Sequence, residues 1–289
     1  MKDILRLLRY KQWIKNLFVF LPVFFSGRIT DTGCLLQVAG AFAAFCLISS
    51  AIYCINDIKD VEADRRHPVK CKRPIASGLV SIRTAIATAT LLPLLSLTCT
   101  LLLDNSLQVA AVIVTYYLLN IAYCFRLKQF AIIDVFCIAT GFVLRIVAGG
   151  IAGDIWLSPW IVSLTFLLTL FMGFAKRRDD VIMNESGAKV TRKNTLSYNK
   201  QFLDQTMSIL AAAMLVSYII YSVSPEVESR LGSNYVYVTS IAVLAGILRY
   251  MQLVIVNGEG GSPTRIVLHD RFLQACIAVW LLMFLFIIY

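Results

Sequence analysis

Charge is scarce in this chain. Asp, Glu, Lys and Arg together make up 15% of 289 residues, while 58% are hydrophobic. A water-soluble surface cannot be built from so few charges, which excludes an ordinary soluble globular core. Histidine is almost missing: only His67 and His269 occur, far apart in sequence, so no His-based metal centre or triad suggests itself. The eight cysteines (34, 46, 54, 71, 99, 124, 137 and 276) form no Cys-x-x-Cys or Cys/His spacing and sit mostly inside apolar runs. They read as small apolar packers with no disulfide framework. Alternation of polar and apolar residues is also absent from the long apolar runs, which argues against a lipid-facing β-barrel.

What remains is a series of continuous apolar stretches, at residues 13–26, 34–55, 84–103, 107–125, 132–151, 160–175, 207–223, 235–256 and 272–289. Most have the roughly 17–25 residues that a spanning helix needs, and the first is short and is expected to begin earlier. With a mean hydropathy of +0.75, the expectation is an all-α, polytopic membrane protein of about nine transmembrane helices. The basic, then apolar N-terminus imitates a signal peptide, but many spans follow it and it reads as helix 1. The net charge of +10 does not point to nucleic acid, because of where the charge lies. With the N-terminus in the cytoplasm, Lys and Arg gather in the lead-in (Lys2, Arg6, Arg9, Lys11, Lys15) and in the loops after helices 2, 4, 6 and 8. The opposite loops hold only Arg28 and Arg230 beside Asp31, Asp104, Asp154, Glu226 and Glu228. That asymmetry predicts a multi-pass protein of the inner (plasma) membrane with a cytoplasmic N-terminus and site.

The second apolar run ends in Asn56-Asp57-Ile58-Lys59-Asp60-Val61-Glu62-Ala63-Asp64. At about 100° per residue, Asn56, Asp57, Asp60 and Asp64 share one arc of roughly 100°, and Glu62 points elsewhere. Carboxylates stacked in this way repel unless a cation lies between them, and Mg²⁺ favours a few carboxylates plus phosphate oxygens. A solvated helix end is the alternative. A loop follows with six residues able to carry positive charge, Arg65, Arg66, His67, Lys70, Lys72 and Arg73, closed by Pro74 and Gly78. Arginine suits phosphate because its planar fork binds two oxygens. Lys15 and Asn16 open the first span and are candidate anion donors. Tyr123, Arg126 and Lys128 decorate a second basic turn. Asp134 and Arg145 lie inside the fifth apolar run, where ionisable groups are rare and costly. Eleven residues apart, about 16 Å along a helix, they are not expected to pair, and at least one is expected to face a polar cavity. Lys176-Arg177-Arg178-Asp179-Asp180 opens the longest polar stretch, which contains Asn184, Glu185, Ser186, Gly187, Lys189, Arg192, Lys193 and Asn194 and reads as a cap or lid. Gly258-Glu259-Gly260-Gly261-Ser262-Pro263-Thr264 could approach phosphate, but lacks the strand–helix setting of a P-loop.

As a set, Asn-Asp-x-x-Asp-x-x-x-Asp with Lys-Arg-Pro-Ile-x-Ser-Gly, the segment Arg9–Asn16, Tyr123–Lys128 with Asp134, Gly141–Gly150, Lys176-Arg177-Arg178 and the Gly-rich loop resemble the UbiA-type intramembrane prenyltransferase superfamily. Within it they are most similar to the decaprenyl-phosphate phosphoribosyltransferase branch. The likeness runs along nearly the whole chain. It implies nine helices around a central cavity open to the cytoplasm, in one catalytic domain (1–289) with cap loops at about 57–82, 176–203 and 257–271. It further implies Mg²⁺ on Asn56, Asp57, Asp60 and Asp64, with Asp57, Asp60 and Asp64 catalytic. Substrate contacts are implied for Lys15, Asn16, Arg73, Tyr123, Arg126, Lys128, Asp134, Arg145, Lys176, Arg177 and Tyr198. The partners implied are 5-phosphoribosyl 1-diphosphate, a polyprenyl phosphate and the bilayer, with no nucleic acid and a possible homo-oligomer. One departure is informative: the superfamily's usual second Asp-x-x-x-Asp motif after helix 6 is replaced by Lys176-Arg177-Arg178, which suits an extra phosphate better than a second metal. The alternatives are prenyl transfer from a diphosphate to an aromatic or quinone precursor, and a transporter, which would carry its charges near the bilayer midplane.

Overall fold

The computed structural model describes residues 2–66, 69–185, 197–261 and 263–288. His67, Pro68, Ser262 and the lid residues Ser186, Gly187, Lys189, Arg192, Lys193 and Asn194 lie outside them. The described residues form two compact units. The first comprises Met1–Lys128 and Thr140–Leu157, the second Gln129–Ala139 and Ser158–Tyr289.

In the first unit, short α1 (Lys2–Leu7) leads into a 3₁₀ stretch, Tyr10–Phe20, and α2 (Leu21–Phe25). The long α3 (Thr32–Lys59) is started by Asp31, whose side chain accepts from the Cys34 N–H, satisfying one of the donors a helix start leaves open. α4 (Val61–Arg65), α5 (Ile82–Thr100), α6 (Ser106–Phe125) and much of α7 (Ile133–Ala152) complete the unit. Its core joins Val38, Ala41, Ala44, Phe45 and Ile48 of α3 to Val109, Ile113 and Ala148. Small residues let these backbones approach, and Ser96 Oγ donates to the Ala44 carbonyl at 2.8 Å, a contact suited to a lipid setting where no water competes.

The second unit is built from α8 (Pro159–Glu185), α9 (Lys200–Ser222), α10 (Pro225–Leu231), α11 (Thr239–Ile255), α12 (Pro263–His269) and α13 (Arg271–Ile288). Phe171, Phe174, Ala175, Leu203, Met207, Leu253 and Val254 form its centre. Val135 from the start of α7 joins them against Gly173, where a Cβ would stand 2.4 Å from Val135.

Among the described residues no strand occurs, and eight helices are long and apolar enough to cross a membrane. The all-α, multi-pass expectation therefore holds, with one difference in detail. The first apolar stretch is not a regular α-helix but eleven residues of 3₁₀ and five of α. At about 2.0 and 1.5 Å per residue these still rise roughly 30 Å, the thickness of a bilayer's hydrocarbon core. This stretch packs closely on α7. A Cβ on Gly149 would lie 1.9 Å from the Val19 carbonyl oxygen, so α7 presses its bare backbone on this stretch. Gly149→Ala is expected to cost about 1–3 kcal/mol through overpacking, read as a lower unfolding temperature in detergent. Gly246→Ala, whose Cβ meets only ordinary contacts at 3.7 and 3.8 Å, should leave that temperature unchanged.

Candidate functional site

The acidic motif lies at the end of α3 and through α4. The helix is interrupted at Asp60 (φ −94°, ψ 10°). Its ladder continues, however: Asp60 N–H donates to the Asn56 carbonyl at 3.0 Å and Asp64 N–H to the Asp60 carbonyl at 2.8 Å. Asp57 and Asp64, seven residues apart, consequently remain on one face and are 2% and 3% exposed. Arg73 Nη1 bridges them, 3.0 Å from Asp57 Oδ1 and 2.5 Å from Asp64 Oδ2. Arg9 pairs with the same Asp57 oxygen and stacks over the Tyr53 ring at 4.8 Å. Lys128 Nζ takes Asp60, at 2.9 and 2.8 Å from its two oxygens, and reaches Asn56 Oδ1 at 3.4 Å. Glu62 points away and pairs with Arg65 on the exposed side, as the periodicity predicts.

Three carboxylates are thus matched by three cations from three separate segments. Hard oxygen donors of this kind are what Mg²⁺ prefers, and Asp57 Oδ2 is buried with no hydrogen-bond partner. Among the described residues, no three His, Cys, Asp or Glu groups surround one point. The donor chemistry fits a hard divalent cation, provided the basic residues exchange their carboxylates for another anion. Arg9 is the functional candidate that sequence reading missed. Its sole signal was membership of the Arg9–Asn16 segment, and nothing local predicts a contact with Asp57, forty-eight residues away.

The other candidates divide. Lys15 and Tyr123 are half-buried and Arg126 is exposed. Arg145, 5% exposed, does not open onto solvent. Its Nε donates to Asn16 Oδ1 (2.8 Å), Nη1 to the Gly141 carbonyl (2.7 Å) and Nη2 to the Tyr116 hydroxyl (2.8 Å). The rings of Tyr116, Phe142 and Phe45 surround it at 4.8, 5.0 and 5.6 Å. The expectation of a polar cavity here is corrected: neutral acceptors and aromatic faces satisfy this cation. Asn16, 1% exposed, also donates toward Ser49 Oγ and Cys46 Sγ at 3.3 Å, so it ties the 3₁₀ stretch to α3 and α7.

In the second unit, Arg177 and Arg178 are each 1% exposed. Arg177 Nε lies 2.7 Å from Asp134 Oδ2 and Nη1 lies 2.5 Å from Asp180 Oδ2. Arg178 Nε takes Asp204 at 2.5 Å and Nη1 donates to the Val254 carbonyl at 2.8 Å. Asp134, Asp180 and Asp204 thus pair with the two arginines of the Lys176-Arg177-Arg178 segment, where the sequence suggests a cationic phosphate centre. Lys176 is half-buried. Asp134 is fully buried and pairs one way with Arg177 and the other with Tyr198, whose hydroxyl donates to Asp134 Oδ1 at 3.2 Å and accepts from the Ile132 N–H at 2.5 Å. Ile132 is held at φ +68°, an uncommon conformation for a β-branched residue. Burial, with Asp134 adding to it, pushes the Tyr198 phenol up to about 12, so it remains a neutral donor. The Gly-rich loop packs on α8: a Cβ on Gly260 would stand 2.8 Å from the Ala175 carbonyl, and one on Gly261 2.5 Å from Asp179 Oδ2. Gly260 and Gly261 serve this close approach, and Gly258 takes up a φ of 73°.

Comparison with known proteins bears on the family and the fold. The model of the UbiA prenyltransferase family matches residues 18–274. A decaprenyl-phosphate phosphoribosyltransferase of Corynebacterium glutamicum is 34% identical over 99% of this chain and 86% of its own length. One of Mycolicibacterium smegmatis is 38% identical over 96% of this chain and 90% of its own. Among solved structures, a UbiA homologue from Archaeoglobus fulgidus bound to GPP and Mg²⁺ superposes with a TM-score of 0.73 at 20% identity, covering 99% of both chains; at that identity the likeness bears on the fold. The chain belongs to the UbiA prenyltransferase family and is a multi-pass membrane enzyme, a transferase.

Proposed function

We propose that this enzyme transfers 5-phosphoribose from 5-phosphoribosyl 1-diphosphate to a polyprenyl phosphate in the bilayer, with release of diphosphate. The observation that carries the reading is the trio of carboxylates, Asp57, Asp60 and Asp64, each held by a base that also suits phosphate, in a chain whose relatives bear that activity in their names. Asn56, Asp57, Asp60 and Asp64 would hold Mg²⁺, which when bound offsets the charge that develops on a diphosphate leaving group. Arg9, Arg73 and Lys128 then exchange carboxylate oxygens for diphosphate oxygens, as charge-assisted and, for arginine, bidentate hydrogen bonds. The motif thereby stays neutralised both with and without substrate. The acceptor phosphate is an anion at neutral pH and needs no strong general base to attack C1 of the ribose. Catalysis rests on positioning and on charge placed where the leaving group forms. The distribution of Lys and Arg supports a cytoplasmic site.

Purified protein incubated with Mg²⁺, radiolabelled phosphoribosyl diphosphate and polyprenyl phosphate should yield label extractable into organic solvent, and EDTA should suppress it. Label confined to the aqueous phase would overturn the reading. A second reading, prenyl-diphosphate chemistry, draws on a digeranylgeranylglyceryl phosphate synthase of Saccharolobus solfataricus, 29% identical over 80% of this chain. Turnover of geranylgeranyl diphosphate without turnover of phosphoribosyl diphosphate would favour it.

A further inference from the structure

In the first unit, α3, α5 and α6 line an open recess of about 720 Å³. Its walls are Ile55 and Ile58 of α3, Ile86, Thr90 and Leu94 of α5, and Phe125 of α6. Thr90 presents no free hydroxyl, since its Oγ1 donates back to the Ile86 and Ala87 carbonyls. Within a bilayer such an apolar recess is filled by hydrocarbon, because an unfilled one forfeits its dispersion contacts. The question is which lipid supplies the chain.

Two cations at one end answer it. Lys59 is itself part of the wall. Its Nζ donates to the Cys124 and Phe125 carbonyls at 2.7 and 2.9 Å and stands 4.3 Å above the Phe125 ring. This holds the ammonium, which has a third proton to give, at the mouth of the recess. Arg83, exposed in the first turn of α5, shares an arc of roughly 80° with Ile86, Thr90 and Leu94. A cation in a first turn opposes the helix dipole, so helix stability does not account for it. We propose that the recess is a binding site for one anionic membrane phospholipid, its acyl chain lying along α3 in the groove that α5 and α6 flank and its phosphate held by Lys59 and Arg83.

The register of α3 distinguishes this lipid from a polyprenyl phosphate substrate. Ile55, Ile58 and Lys59 face the recess, while Asn56, Asp57, Asp60 and Asp64 centre on a direction roughly 150° round the helix. A phosphate at Lys59 lies on the wrong side of α3 to meet the acidic motif. The site requires only the membrane setting, and stands or falls independently of the proposed reaction.

Native mass spectrometry of the full chain in detergent, titrated with phosphatidylglycerol, phosphatidylcholine or polyprenyl phosphate, tests it. One phosphatidylglycerol should be retained in preference to phosphatidylcholine by roughly tenfold, the order expected for two basic side chains near an anionic lipid. Arg83→Gln should bring that preference down several-fold, and Lys59→Gln likewise. Thr90→Trp, which fills the recess and leaves both cations, should lose retention of both phospholipids while unfolding at the wild-type temperature. Equal retention of the two phospholipids by the wild type, or full retention by Thr90→Trp, would overturn the proposal. So would displacement of phosphatidylglycerol by equimolar polyprenyl phosphate, which would make the recess an acceptor site.

Discussion

Asp57→Asn and Asp64→Asn should each lower kcat for phosphoribosyl transfer by about a thousandfold, the scale on which loss of one preorganised charge-stabilising group is felt. Both side chains are nearly buried, and one arginine joins them. Either substitution keeps the carboxylate's shape but removes negative charge that holds Arg73 and, on the proposed function, would hold the cation. The protein should still fold. Arg73 and Arg9 are each 23% exposed along the side chain, so water can solvate a guanidinium that loses one partner, and the cost stays well below that of orphaning a buried charge. The control is Glu62→Gln, in the same segment but on the exposed side with Arg65, which should leave kcat unchanged. Arg9→Gln should act differently, raising the donor KM more than it lowers kcat, because on the proposed function Arg9 would bind charge that the donor carries both before and during reaction. Wild-type kcat in both the Asp57 and Asp64 variants would remove the metal and diphosphate from this motif altogether.

What could be read in advance follows from the range of the interactions. Hydrophobic runs declare membrane helices because one segment satisfies its own backbone, and eight of the nine stretches became long apolar helices. The first did not, and Gly149, which packs hard against it, comes more than a hundred residues later. The acidic motif was legible since helical register alone aligns Asp57 with Asp64. Its partners were not, because Arg9 and Lys128 arrive from other segments and carry no local mark. The same limit explains Arg145. A lone cation in an apolar run looks as if it awaits an anion, and only tertiary structure reveals Asn16, Tyr116 and three aromatic rings around it. Lys176-Arg177-Arg178 shows the same limit. Their charges read as free until Asp134, Asp180 and Asp204 are seen to claim both arginines.

That last arrangement carries the largest expected effect on stability. Asp134→Ala removes one of two carboxylates from an arginine that is 1% exposed, and takes from the Tyr198 hydroxyl its buried acceptor. Breaking a buried pair from one side costs about 3–5 kcal/mol, a large part of the roughly 5–15 kcal/mol that holds a typical domain together. The expected result is little folded protein in detergent, seen as loss of the monodisperse peak in size-exclusion chromatography. Removing the charges together should behave oppositely. In the triple variant Asp134→Asn, Arg177→Met, Asp180→Asn none of the three charges remains and the amide at position 134 can still accept from the Tyr198 hydroxyl; uncharged replacements of buried ion pairs are often neutral or stabilising. That variant should fold, and its donor KM separates the two roles that sequence and structure assign to Arg177. If the arginine serves as an internal strut, with Nε and Nη1 committed to carboxylates at 2.7 and 2.5 Å, the donor KM should stay within about threefold of wild type. A rise of tenfold or more, equivalent to about 1.4 kcal/mol of lost binding, in a folded triple variant would return Arg177 to the donor's phosphate. It would also mean that Asp134 and Asp180 hold the arginine only until substrate arrives, as Asp57 and Asp64 are inferred to hold Arg73.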